Sequence, residues 1–370
     1  LAVEEYTALV RDYPKDLAGH TNLAFAYFLG CKMPEAFQEG LRALELDPDN
    51  LDYRYNQSWY ALGAGDFDRA KQEARKTLQI NPSYAKAFVV LSLCDLAQGQ
   101  PAEAVKEYHQ LEALDKLGTS LANTGLADLA ISEGRLNDAE AILKKGITAD
   151  LQNRSNDYAA DKMLMLAQSY AEQGRKALAA ATAEQALKTV TSENYLFAAA
   201  LVYIEIGAED KARKIAGDLD KKVQDVHQAY GKLIGGYLSL RRGDTTNALK
   251  LFQQAQTLVD TWLGRFALGR AYLEAAAFPE ACAEFEICQK RKGEALSVFL
   301  NDLPTYRYLN TLDYYMGRAQ EGQGNKEAER KSFERFLQIR SGSDQVTALI
   351  SDARRRLASP SNTVSPHNQR

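Results

Sequence analysis

The sequence predicts an all-α solenoid of antiparallel helix pairs, about nine and a half of them, closed by a C-terminal capping helix. Three observations carry this. A small residue recurs at Ala36, Ala70, Ala104, Ala139, Ala179, Ala212, Ala248 and Ala281, at spacings of 33 to 36 residues with one of 40. Glycine recurs in phase at Gly65, Gly99, Gly134, Gly174, Gly207, Gly243 and Gly324. Proline is scarce, nine residues in 370, and several sit at regular places. A fixed period of this length is the signature of a stacked-repeat architecture. Glycine between two helical stretches supplies the left-handed residue that ends a helix.

The remaining residues of each unit move with these anchors. In the first full repeat Leu23, Ala24, Tyr27, Ala36, Ala43 and Pro48 fall at set intervals. In the eighth, Trp262, Leu268, Gly269, Tyr272, Ala281 and Phe285 do so. The pattern resembles the tetratricopeptide repeat family, which implies a right-handed superhelix. Small residues such as Ala24, Gly236 and Gly269 are expected to let helices approach closely. Large ones such as Tyr27, Phe252 and Phe285 are expected to fill gaps between neighbouring units.

The chain divides accordingly. Residues 1–14 read as a half repeat, the second helix of a unit whose first helix is missing, so the sequence is expected to be a piece of a longer protein. Nine repeats occupy 15–342, with an extended junction near 150–157 and an insertion near 291–305. A capping helix is expected over 343–358, with Ser343 or Asp344 at its start and Arg354, Arg355 and Arg356 toward its end, and a disordered tail over 359–370.

Composition excludes several function classes. A net charge of −4 with no basic stripe argues against a nucleic-acid partner. No apolar run is long enough to cross a membrane. The four cysteines form no CxxC pair and read as core thiols. The four histidines are scattered, and no phosphate loop, zinc-protease or nucleophile-elbow motif is present, so no enzyme activity, cofactor or metal is expected.

In the family, the first helix of each pair lines a concave groove that receives a protein or peptide. The resemblance therefore implies two candidate surfaces. One is an N-terminal aromatic strip of Phe25, Phe28, Tyr55 and Trp59. The other is a C-terminal set of Tyr237, Arg241, Phe266, Arg270, Tyr314 and Arg318, with Tyr306, Arg307 and Tyr308 of the insertion nearby, suited to an acidic or extended polypeptide. An intramolecular role competes at the second site, with Arg270 and Arg318 pairing with Glu274 and Glu321. The carboxylate clamp of some family members is incomplete, because only Asn56 and Lys86 match it. The open N-terminal face offers a surface for homo-oligomerisation.

Residues 260–337 also resemble the repeat regions attached to bacterial eukaryotic-like serine/threonine kinases and to membrane-anchored winged-helix regulators. That resemblance implies the repeat region of a larger bacterial signalling protein, placed outside the membrane or in the cytoplasm. The alternative is a freestanding assembly scaffold or co-chaperone of envelope or secretion machinery.

Overall fold

The computed structural model describes residues 2–190, 192–301 and 303–358, and the expected tail lies outside them. A lone helix, α1 (Ala2–Asp12), is followed by pairs in which each helix packs on the next. The first three pairs are α2/α3 (Leu17–Leu29, Met33–Leu46), α4/α5 (Leu51–Ala64, Phe67–Ile80) and α6/α7 (Ala85–Ala97, Pro101–Glu112). The middle three are α8/α9 (Lys116–Glu133, Leu136–Gln152), α10/α11 (Asn156–Glu172, Lys176–Thr189) and α12/α13 (Leu196–Ile206, Glu209–Leu219). The last three are α14/α15 (Asp225–Arg241, Thr245–Leu258), α16/α17 (Trp262–Glu274, Phe278–Lys290) and α20/α21 (Leu312–Gly322, Lys326–Ile339). Two four-residue helices, α18 (Lys292–Ala295) and α19 (Tyr306–Leu309), lie between the eighth and ninth pairs, and α22 (Ala348–Ala358) ends the array.

Local signals set the boundaries. Side chains of Asn50, Asp66, Asp115, Asp244 and Asn325 accept from backbone N–H groups in the first turns of their helices. The seven in-phase glycines all have φ between 73° and 83°. Cys31 and Ala276 hold the same turn at φ 56° without the freedom of glycine.

The periodic alanines are fully buried, because they sit where two helices meet. The large rings meet expectation only in part. Phe252 and Phe285 fill the contact inside a pair, and Phe285 also reaches across to Tyr315 of the next one, 6.3 Å between ring centroids. A Cβ on Gly236 would lie 2.3 Å from Phe252, and one on Gly269 would lie 2.4 Å from Phe285. The ring of the second helix is seated on the bare backbone of the first.

The extended junction is absorbed by helix length, since α9 and α10 each run 17 residues. Lys162 secures it: its buried ammonium donates to Asp150 at 2.7 Å and to Ser120 at 2.9 Å, joining α8, α9 and α10. At the C-terminus, the last helix begins five residues later than expected. Ser343 and Asp344 do not cap it, because they bond across the superhelix. Ser343 Oγ donates to Gly134 O at 3.2 Å, and Asp344 accepts from Asn137 N at 2.7 Å. Arg340 pairs with Glu172 at 2.9 Å. The end of the array thus closes onto the turns of its fourth and fifth repeats.

Candidate functional site

The inner wall is built by the first helices of the pairs, and one register lines it. The residue six before each inter-helix turn is Phe25, Trp59, Leu93, Asp128, Gln168, Leu201, Tyr237, Arg270 and Arg318 in order. The register is apolar at its start, polar at Asp128 and Gln168, returns to Leu201 and Tyr237, and ends on two arginines.

The chain's own insertion lies against the middle of this wall. It runs from Arg291 to Thr311, between α17 and α20. Gly293 touches the end of α4, where an added Cβ would meet Leu62 O at 2.0 Å. Lys292 Nζ donates to Ala97 O at 2.7 Å, a cation on the carbonyl end of α6. Leu296 is fully buried in the N-terminal core cluster. Arg307 reaches α8 and α10, donating to Asp128 Oδ1 at 2.6 Å and Gln168 Oε1 at 3.0 Å. Phe299 meets Phe197 of α12 edge-on at 6.2 Å. Thr305 staples the segment to itself, accepting from Val298 N and donating to Ala295 O.

Past the insertion the wall is cationic. Arg270 stands between two rings, 5.5 Å from the centroid of Tyr237 and 4.9 Å from that of Tyr315. Arg318 pairs with Glu274 at 3.0 Å, and Arg241 lies 3.7 Å from Glu209. Glu321, the other expected partner, is held by Arg356 of the last helix. Arg270 has no ion pair or hydrogen bond among the described residues, although Glu205 and Glu274 act on it at longer range.

Comparison with known proteins fits this architecture. Residues 37–191 match a family model described as the middle TPR-like domain of cilia and flagella-associated protein 70. The structure of a human IFIT1 dimer with m7Gppp-AAAA superposes with a TM-score of 0.51 at 16% identity, over 91% of this chain and 76% of that one. The chain has a TPR-like repeat fold. Two other TPR structures align at lower scores. The APC/C Cut9–Hcn1 hetero-tetramer gives 0.47 at 13% identity, over 96% of this chain and 58% of that one. A tetratricopeptide repeat protein from Parabacteroides merdae gives 0.39 at 15%, over 84% and 99%. No curated protein matches the sequence significantly.

Against this TPR frame, six of the residues expected to face a ligand are core. Phe28 packs on Tyr60, Tyr55 on Trp59 and Tyr84, Phe266 on Trp262 and Tyr315, and Tyr237 on Phe252. Tyr314 lies against Phe333 and Phe336 and donates to Asp352 of the last helix at 2.7 Å. Adjacent TPR units and the insertion cover apolar rings that a bare groove would leave in water. Phe25 remains 51% exposed, Arg241 is exposed, and Arg270 and Arg318 are half-buried. The cysteines are core thiols apart from half-buried Cys31, and burial pushes the Cys31 thiol up to about 12.

Sequence reasoning missed Asp128 and Gln168. Their place in the register was the available signal, since both stand six residues before a turn glycine. It also missed a cavity of about 300 Å³ between α10, the 3-10 turn Glu193–Tyr195 and the insertion. A wider cleft of about 490 Å³ sits at the junction of α8 with the α9–α10 turn, lined by Lys116, Ser120 and Arg154.

Proposed function

We propose that this TPR-type scaffold receives an acidic polypeptide segment on the cationic end of its inner wall, with Arg270 as the anchor. The observation that carries the reading is the state of Arg270: fixed between Tyr237 and Tyr315, half-buried, and without a carboxylate partner among the described residues. A guanidinium held between two rings has lost side-chain freedom before binding and keeps its forked donors for a carboxylate. Arg318, one register step on, already holds Glu274 and would exchange that partner for the ligand. The insertion fills the middle of the groove, which directs a ligand toward this end.

The expected bacterial signalling context draws no support from the comparisons, whose family model is a ciliary and flagellar one. That match favours a scaffold within a larger protein assembly. The test is a binding titration of acidic, tyrosine-containing peptides selected from an array on the wild-type chain. Arg270→Ala is expected to weaken binding by about tenfold or more, and Arg318→Ala by less. Unchanged affinity in both variants overturns the reading.

A further inference from the structure

The cavity beside the insertion has a lining unlike the rest of the inner wall. Tyr158, Tyr195 and Phe299 bring three rings to it, the first already 5.8 Å from Lys162 Nζ, and Asp157 and Asp161 bring two carboxylates. Asp157 stands at the exposed rim and accepts from Tyr195 Oη at 3.0 Å. Asp161 lies one helical turn further along α10, mostly covered, and makes no hydrogen bond or ion pair among the described residues. The cations close to it are engaged elsewhere. Lys162 is held by Asp150 and Ser120, and Arg307 by Asp128 and Gln168. Arg307 lines the cavity as well, but its guanidinium is committed to Asp128 and Gln168, so Asp157 and, once ionised, Asp161 are the carboxylates left for an incoming cation.

We propose that this cavity is a binding site for an organic cation, namely the ammonium or guanidinium head of a basic side chain presented by a partner polypeptide. Ring faces attract a cation through their quadrupole, and a desolvated carboxylate supplies a charge-assisted hydrogen bond. The volume is at the small end for ligand pockets, which suits a side chain better than a nucleotide or a prosthetic group. No group of three potential metal ligands occurs among the described residues, so the carboxylates are not arranged for a bare metal ion.

Titration supplies an independent handle. Burial pushes the Asp161 carboxyl up to about 8; Lys162 and Arg307 pull it down, while Asp157 and Asp150 push it further up. The Tyr195 phenol is raised by burial and by the same two cavity carboxylates, so it stays protonated. An arriving cation favours ionised Asp161. Binding therefore releases a proton at neutral pH and tightens as pH rises toward 8.

Met165 lines the cavity and reports on it, one of four methionines in the chain. The experiment follows its methyl resonance in the full chain labelled at methionine methyls. The probes are N-acetyl-lysine-N-methylamide, the neutral norleucine analogue and free n-butylammonium. The lysine derivative is expected to shift Met165 saturably and the norleucine analogue not at all. Asp161→Asn is expected to weaken the response by about tenfold or more and to abolish its pH dependence. Phe299→Leu, which keeps Asp161, is expected to weaken it severalfold. A silent Met165, equal response to norleucine, or an unaltered titration in Asp161→Asn overturns the site. Binding of butylammonium without the lysine derivative overturns a peptide-borne ligand. Arg270→Ala leaves this titration unchanged, so the outcome is separate from that of the acidic-segment reading.

Discussion

Arg307 and Asp128 form an ion pair at 2.6 Å across 179 residues of sequence, with both side chains almost wholly buried. The pair joins the insertion to the fourth repeat. A buried pair of this kind specifies geometry more than it adds stability, because desolvation offsets much of the attraction. Removing one partner strands the other. Arg307→Ala is expected to destabilise the docked insertion by about 3–5 kcal/mol. Hydrogen exchange should then rise over 292–311, while the outer helices α3, α5 and α7 stay protected. The double variant Asp128→Leu with Arg307→Met should recover most of the protection, since neither charge is left alone.

Gly293 offers a test of the same docking without changing charge. Its backbone lies directly on the end of α4, with no room for a Cβ beside Leu62 O. Gly293→Ala should lift α18 from the wall, read as faster proteolysis within 296–301. An unaltered cleavage pattern would mean that the end of α4 yields instead.

Asp161 predicts a pH slope in stability. Its folded-state carboxyl is raised to about 8 by burial, above the ordinary range near 4. The native state therefore holds a proton between those values that the unfolded chain has released. Stability from this group is fully present below about pH 4 and is lost as pH rises through about 8. Asp161→Asn should flatten that part of the profile and unfold at higher denaturant than wild type above pH 8. Urea midpoints across the range measure it.

The turns give a local test. Ala276 adopts φ 56° at a position where most repeats use glycine, and its side chain is exposed. Ala276→Gly removes the left-handed penalty and loses no packing. It should stabilise by about 1 kcal/mol, whereas Gly243→Ala should cost about as much. Denaturant midpoints of the two variants should move in opposite directions.

Features set by neighbours in sequence were legible in the sequence. Ala248 and Ala281 mark helix contacts within a unit, and Gly243 marks the turn joining its two helices, so their period shows directly. The inner register also shows, because it is counted from the turn: Trp59, Tyr237 and Arg270 fall on it. What did not show depends on segments far apart in the chain. Nothing local to Arg307 names Asp128, and nothing local to Ser343 names Gly134. The burial of Trp59 and Phe266 follows from adjacent repeats and the insertion, which a single helix pattern does not contain. Asp161 looks like an ordinary polar helix residue until Phe299 and Tyr195 arrive beside it.

Gly269 and Phe285 show how the repeat encodes its own packing, and they allow a paired test. The ring sits where a Cβ would be, 2.4 Å from its ideal position. Gly269→Ala must displace the ring, which Phe266 and Tyr315 also touch. Overpacking of this kind should cost about 1–3 kcal/mol. The shift passes through Tyr315 to Arg270, which stacks on it. Peptide binding at Arg270 should therefore weaken along with stability. Phe285→Leu, added to Gly269→Ala, removes the clash at the expense of ring area. It should restore the position of Tyr315 and the binding more fully than it restores the unfolding midpoint. Binding that follows stability in strict proportion across the three variants would show that no such path runs from Phe285 to Arg270.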